Sequence, residues 1–206
     1  MCPFKFLLLF TLIAGGARKL FGRRRKSDGQ SLTRWRIGHQ LFSVIDQLLV
    51  VTATRLKAAL DAGDWDRAVE CFQRGATLLD VSAAALKYTG DMKAGLYEAE
   101  VVTDMQKYAH GRMTGLNMKD HQAVVAAIRG LKLAKPLEAW PTRVRMAHAG
   151  FAGAHAAALQ NHVHACTLNA GKRPPISHPD GQLAEDTLVS INKTRMRHAG
   201  CPVLNG

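Results

Sequence analysis

The chain has 206 residues, enough for one domain with a hydrophobic core but few for two. Hydrophobic residues make up 47%, mostly Ala and Leu, and aromatic residues only 6%, which favours helices over strands. The formal net charge of +12 at pH 7 is concentrated near the N-terminus and lacks the interleaved aromatic residues that stack on bases, so nucleic-acid binding is disfavoured.

The segment 1–31 is predicted to lie outside the fold. Its apolar run, from Phe6 to Ala14, resembles part of a signal peptide but is too short to span a bilayer as a helix. Basic residues follow the run between positions 18 and 26, and cationic flanks tend to stay in the cytoplasm. We therefore expect a cytoplasmic protein with an over-long start or a weak anchor, and a helical domain over residues 32–206.

Two antiparallel helices are predicted at the start of this domain. Apolar residues recur at helical spacing from Leu41 to Leu60, and Gly63 is suited to end the helix. Asp64 can then cap a second helix, whose apolar residues recur from Ala68 to Ala83 and which continues to Gly90. The short connection between the two predicts a helical hairpin.

A third and a fourth helix are predicted in the middle of the chain. The third runs over residues 91–107, and the glycine-containing stretch 110–117 after it is expected to be a loop. Asp120 can cap the fourth helix, which continues through Leu133 and is stopped by Pro136.

The long fifth helix is predicted to begin with Pro141 at its first position and to run to about Leu168, with Gly171 beyond its end. Three prolines make the segment 172–181 a loop, and a last helix is predicted over residues 183–198. No segment alternates with a period of two, so the predicted class is all-α, a helical bundle.

Three histidines on the fifth helix, His148, His155 and His162, lie seven residues apart and therefore share one face, which Cys166 extends. Histidine is the commonest metal ligand and its neutral ring suits haem iron. Neighbouring members lie about 10.5 Å apart along the axis, so one metal ion cannot bind two of them. The same pattern also fits hydrogen-bonded core histidines, and spacing alone leaves both interpretations open.

Other catalytic patterns are missing from the sequence. There is no HExxH, no P-loop, no GxGxxG after a strand and no GxSxG. The four cysteines show no CxxC pair and no zinc-like spacing, which is typical of reduced thiols. The sequence has only five glutamates and no Glu-x-x-His pair, which disfavours a di-iron carboxylate site.

Two segments resemble the haem-dependent tryptophan 2,3-dioxygenase superfamily, in the right order. The first is RIGHQLFSVIDQLL, followed by LKAALDAGDWDRAVECFQRGATLLDVSAAAL, and the second is NHVHACTLNAGKRPP. The resemblance implies the fold of that superfamily, with His39 as the distal histidine that faces oxidant and substrate. It also implies that His162, nine residues before Gly171, is the axial haem ligand.

The chain looks most similar to a side branch of that superfamily, the peroxide-using tyrosine and methyltyrosine hydroxylases. The dioxygenases' arginine-bearing substrate segment is not visible around residues 93–98, and their active-site loop is replaced by KRPPISHPDG. In one of these hydroxylases a His-x-x-x-Cys motif supplies an axial histidine and a cysteine that bonds covalently to haem. His162 and Cys166 have this spacing, so covalent attachment of haem through Cys166 is implied as an option.

The resemblance implies a haem-dependent oxidoreductase, a hydroxylase or a dioxygenase, that oxygenates an aromatic amino acid or a derivative with O₂ or hydrogen peroxide. His39 would act as acid and base, and His155 would support the iron ligand or replace it. Lys172 and Arg173 would pair with a haem propionate or a substrate carboxylate. The alternative is a non-catalytic helical bundle that binds a protein or an acidic partner. A homo-oligomer is compatible with either.

Overall fold

The computed structural model describes residues 30–92, 96–102, 104, 118–131 and 136–170. For residues 98, 99, 102 and 166–170 it describes the backbone only. These described residues contain no strand, and the all-α prediction is confirmed. None of the described helices is both long enough and apolar enough to cross a membrane. The elements are α1 Ser31–Ala62, α2 Trp65–Gly90, a π-helical turn Tyr97–Val102, α3 Lys119–Arg129, a 3₁₀ turn Leu137–Ala139 and α4 Thr142–Ala170.

The predicted hairpin of α1 and α2 is confirmed in its local details. Gly63 has a φ of 68°, in the left-handed region that favours glycine, and its N–H donates to the carbonyl oxygen of Leu60 at 3.2 Å. The Asp64 carboxylate accepts a hydrogen bond from the backbone N–H of Arg67 at 3.1 Å. The chain therefore reverses within two residues, and α2 packs along α1.

The most extensive helix contact is between α2 and α4, which run parallel. Near the start of both helices, the ring of Phe72 lies 6.0 Å from that of Trp140 and 5.3 Å from that of His148. One turn further along, Phe151 lies against Phe72 and Gly75. Residue numbers rise together on both helices, and the aromatic rings fill the centre of the core.

Glycine permits close helix contact at two places. A Cβ atom on Gly75 would come within 2.8 Å of the ring of Phe151. On α1, a Cβ atom on Gly38 would overlap Oγ1 of Thr89 and lie 3.0 Å from its Cβ. Because Gly38, near the start of α1, meets the end of α2, these two helices are antiparallel.

The predicted third helix over 91–107 is confirmed in part. Residues 96–102 and 104 are helical, with a π-helical turn at Tyr97–Val102, whereas Asp91 and Met92 lie between α2 and this helix. Val101 is fully buried in a small cluster with Trp35 and Met92. The π-helical turn thus occurs where Val101 packs against Trp35 of α1. The predicted loop 110–117 lies outside the described residues.

The role predicted for Asp120 as the cap of α3 is also wrong. Met118 precedes the helix, and Asp120 lies in its first turn, where its carboxylate accepts from the hydroxyl of Ser43 on α1. The carboxylate thus binds Ser43 on another helix instead of the backbone N–H groups at the start of its own helix. The helix ends at Arg129, earlier than the predicted Leu133.

The long α4 helix begins at Thr142, one residue later than predicted. The carbonyl of Pro141 accepts from the N–H groups of Val144 and Arg145, so Pro141 caps the helix instead of occupying its first position. The 3₁₀ turn before it was not predicted. The predicted loop 172–181 and the last helix over 183–198 lie outside the described residues.

Candidate functional site

The buried face of α4 contains the predicted row of histidines. Its core residues recur every three or four positions, so His148, His155 and His162 point to the side that packs against α2. His148 and His155 are buried, with 5% and 9% of their surface exposed, and His162 is half-buried. The three histidines therefore differ in access although they share a face.

His148 is part of the aromatic core. Its ring meets the rings of Phe72 and Trp140 edge to face, at centroid distances of 5.3 Å and 5.9 Å. Such edge-to-face arrangements stabilise packed rings. This environment gives His148 a structural role.

His39 on α1 is held by a hydrogen bond from its own helix. Its Nδ1 lies 2.9 Å from the carbonyl oxygen of Trp35. A carbonyl oxygen only accepts, so Nδ1 carries the proton, and Nε2 of the neutral ring has a free lone pair. The arrangement therefore presents one basic nitrogen away from the helix backbone.

Two aromatic rings on the same helix fix the orientation of that imidazole. The ring of Trp35 lies 4.1 Å from it with a tilt of 35°, and the ring of Phe42 meets it edge to face at 5.9 Å. Burial lowers the pKa of His39 below its ordinary value of 6.5, and the smaller effect of the hydrogen bond to Trp35 raises it. His39 is therefore neutral at pH 7.

The helix register brings His39 and His162 to the same end of the bundle. His39 follows the α1 residue that packs on Thr89 of α2. On α4, residue 151 packs on residue 75 of α2, and counting on from both along the parallel helices places residue 162 level with Leu86. Leu86 and Thr89 are less than one turn apart, about 4.5 Å along the axis. The π-helical turn contacts both α1 and α4.

The surfaces of α2 and α4 at this end carry small side chains. Ser82, Ala83 and Ala84 on α2 are half-buried, as is Ala165 on α4. Among the described residues, this end of the bundle is thus lined by small side chains, whereas the centre is filled by aromatic rings. An imidazole beside small apolar side chains fits haem, which is flat, largely apolar and held by one nitrogen ligand.

An ion pair joins α1 to the segment that follows the π-helical turn. The guanidinium of Arg36 donates to both carboxylate oxygens of Asp104, at 2.7 Å and 3.1 Å. Asp104 is buried and Arg36 is half-exposed. The pair fixes the position of the π-helical turn beside the Trp35–His39 stack. The two residues are 68 positions apart, and no local signal in the sequence predicted it.

Three other predicted site residues lie at or beyond the limit of the described residues. The backbone of Cys166 belongs to α4, but its side chain is outside the described part. Lys172 and Arg173 follow the last described residue, Ala170. Within the described part, no group of three or more His, Cys, Asp or Glu side chains is arranged to hold a metal ion.

Sequence reasoning missed Trp35 and Phe42 as partners of His39. They stand four positions before it and three after it, and residues at these spacings are neighbours on a helix surface. Two aromatic residues at these spacings around a histidine were therefore a usable signal. The carbonyl that orients the ring has no signature in the sequence.

Comparison with known proteins adds one family. Residues 16–150 match the family model described as SfmD 3-methyl-L-tyrosine peroxygenase. The matched part includes α1, α2, α3 and His39, and it ends before His155 and His162. Searches among curated proteins and solved structures gave no match.

Proposed function

Because this chain belongs to the SfmD 3-methyl-L-tyrosine peroxygenase family, we propose that it is a haem-dependent peroxygenase that hydroxylates the ring of tyrosine or a methylated tyrosine. The family match over residues 16–150 carries the proposal. In the overall reaction, hydrogen peroxide gives one oxygen atom to a ring C–H, which becomes C–OH, and the other oxygen leaves as water.

His162 is the residue we assign as the iron ligand. His155 shares its face but is 9% exposed and lies among core side chains, where a haem would displace packed residues. His162 is half-buried beside smaller side chains at the end of the bundle. Haem bound there supplies an iron centre that activates peroxide for oxygen transfer to the substrate ring. His155, one heptad earlier, supports the position of the ligand helix.

His39 is the residue we assign to proton transfer. Its Nε2 lone pair accepts a proton from one oxygen of hydrogen peroxide and returns it to the other oxygen, which leaves as water. The fixed Nδ1–H tautomer and the lowered pKa keep that lone pair available at neutral pH. The resemblance to the distal histidine of the dioxygenases supports this assignment.

Three residues near the end of α4 complete the proposed site. Cys166 stands one helical turn after His162, and it would be the residue that holds haem covalently. Its thiol can add across a haem vinyl group, which forms a C–S bond and a C–H bond and loses no atom. Lys172 and Arg173 pair with a haem propionate or with the substrate carboxylate.

The direct test is turnover by the purified chain after haem supplementation. We expect a Soret band and, with hydrogen peroxide and 3-methyl-L-tyrosine, a product heavier than the substrate by one oxygen atom in mass spectrometry. The same mixture without peroxide should give no product. A chain that binds no haem, or binds it and leaves tyrosine and 3-methyl-L-tyrosine unchanged, contradicts the proposal.

His162→Ala tests the ligand, with His164→Ala as the matched control. His164 lies two residues away on the exposed side of α4, about 200° around the helix. We expect His162→Ala to lose most haem or to shift its Soret band, because no other histidine lies level with it on that face. His164→Ala should keep wild-type haem content. Equal spectra for the wild type and His162→Ala would rule out this ligand.

A further inference from the structure

Two aromatic rings of the described residues lie against the imidazole of His39, and the indole of Trp35 is the nearer one. Its centroid is 4.1 Å from that of the imidazole, with a tilt of 35°, whereas the ring of Phe42 meets it edge to face at 5.9 Å. The indole is only 8% exposed, and it packs against Met92 and Val101. Trp35 is therefore held beside the nitrogen that we assign to proton transfer.

The stack places Trp35 close to any oxygen atom that bonds to His39. An oxygen atom hydrogen-bonded to Nε2 lies in the plane of the imidazole, about 2.9 Å from that nitrogen. Together with the 4.1 Å stack, this position is about 6 Å from the centre of the indole. A peroxide held by His39 would thus have the indole as its neighbour.

The indole is also the more easily oxidised of the two rings. Its nitrogen donates electron density into the five-membered ring, whereas the phenyl ring of Phe42 has no such donor. The proposed substrate, tyrosine or a methylated tyrosine, is electron-rich for the same reason, because its hydroxyl group donates into the ring. Trp35 therefore resembles the substrate in its reactivity and lies beside His39 whether or not a substrate is bound.

We propose that Trp35 takes up oxygen from hydrogen peroxide when the site holds no substrate ring. This rests on the proposed function, because it requires the same activation of peroxide by haem at His162. Hydrogen peroxide gives one oxygen atom to a ring C–H of the indole, which becomes C–OH, and the other oxygen leaves as water. The indole loses two electrons and the peroxide gains them, so the reaction requires no other oxidant or reductant.

Oxidation of Trp35 would limit the working life of the site. The added hydroxyl group would enter a cluster formed with Met92 and Val101, where a polar group without a partner is unfavourable. The stack that orients His39 would then loosen. Peroxide supplied without substrate should therefore inactivate the chain, and bound substrate should protect it.

Peptide mass spectrometry of the full haem-supplemented chain tests the proposal, after treatment with an equimolar amount of hydrogen peroxide. Cleavage before aspartate releases residues 28–45, which include Trp35 and Phe42 but no Met or Cys. We expect one added oxygen atom on Trp35, located by fragmentation, and less than half as much when 3-methyl-L-tyrosine is present. Trp140, which is 5% exposed and packs on Phe72 in the core, should stay unmodified.

Two controls separate the directed reaction from oxidation by free peroxide. Met146 on α4 is 70% exposed, and its thioether reports free peroxide as a sulfoxide. The chain without haem should show oxygen at Met146 and none at Trp35. Trp35→Phe keeps a ring against His39 but removes the indole, so it should retain a larger fraction of its initial turnover after the same peroxide treatment.

Hydroxylation of 3-methyl-L-tyrosine is measured in the same preparation, which separates failure of this proposal from failure of the proposed function. Hydroxylated substrate together with an unmodified Trp35 in the substrate-free sample overturns the proposal and leaves the reaction standing. Oxygen on Phe42 or Met92 instead of Trp35 overturns it as well, as does equal oxidation of Trp35 without haem. A chain that leaves both the substrate and Trp35 unchanged overturns both proposals.

Discussion

Among single residues, His39 shows how a helix can orient an imidazole. Its Nδ1 donates to the Trp35 carbonyl four residues earlier, and the rings of Trp35 and Phe42 restrict its rotation. The backbone thus selects the tautomer, and the neighbouring rings select the direction of Nε2. Both effects arise within one stretch of α1, independently of the rest of the bundle.

His39→Ala should keep haem and fold but lose about 10² to 10⁴ in peroxide-driven turnover, the usual contribution of a general acid–base group. In the wild type, kcat/KM should fall at low pH only below 6.5, because burial lowers the pKa of the neutral base. The measurement is turnover against pH with haem occupancy determined in the same samples. Wild-type turnover by haem-loaded His39→Ala would exclude the assignment.

The lowered pKa of His39 should also be detectable without an activity assay, through the stability of the chain. Above pH 6.5 the ring is neutral in both states, while below it the unfolded chain binds the proton first. The free energy of unfolding should therefore decrease as pH falls from 6.5 towards the folded-state pKa. His39→Gln should remove this part of the slope.

Cys166 and Cys71 are expected to behave differently towards haem. Cys71 is buried in α2, and burial raises the pKa of its thiol, partly opposed by Arg67 and Arg74. If Cys166 forms the thioether, haem should stay with the polypeptide in acidified organic solvent, and the intact mass should exceed the apo mass by one haem. Cys166→Ala should release haem under these conditions, and Cys71→Ala should not. Complete extraction from the wild type would exclude the covalent bond and leave the axial histidine untouched.

At the scale of helices, glycine sets how closely α1 and α4 approach α2. Gly75→Ala would press a methyl group against Phe151, and Gly38→Ala would press one against Thr89. Overpacking usually costs about 1–3 kcal/mol, and the higher helix propensity of alanine offsets about 0.5–1 kcal/mol of this cost. We therefore expect each variant to have a lower free energy of unfolding than the wild type. Denaturant titration measures the difference.

Gly150 and Gly153 on α4 are the matched controls for this prediction. A Cβ atom on either meets no atom within 4 Å. Replacement by Ala should therefore stabilise the chain by about 0.5–1 kcal/mol, through helix propensity alone. If all four variants changed stability alike, close packing at Gly38 and Gly75 would not be the cause.

The helix boundaries that the sequence predicted correctly are those marked by local signals. Gly63 and Asp64 mark the hairpin through the chain's own turn chemistry, and both were identified in advance. The π-helical turn and the partner of Asp120 were missed, because each depends on a distant residue. Val101 packs near Trp35, and Asp120 binds Ser43, 77 positions away. Spacing could predict neither contact.

Across the whole fold, the features of the candidate site that local helix periodicity determines were predicted, and those that depend on contacts between distant residues were not. The sequence placed His148, His155 and His162 on one face, and the structure agrees, because helical periodicity alone determines that face. Which of the three is accessible depends on the position of the aromatic centre of the core along α2. The Arg36–Asp104 pair, which joins α1 to the segment after the π-helical turn, depends equally on tertiary structure.

The parallel packing of α2 and α4 affects the order in which the chain folds. Phe72 and His148 are 76 residues apart, whereas Thr52 and Gly75, which face each other across the hairpin, are 23 apart. Loop-closure entropy makes the longer closure about 1 kcal/mol more costly, and distant contacts form more slowly. We therefore expect pulse-labelling hydrogen exchange to show α1 and α2 protected before α4, and simultaneous protection would contradict this. The helix that bears His162 would dock after the hairpin of α1 and α2 has formed, so haem capture would wait for that docking step.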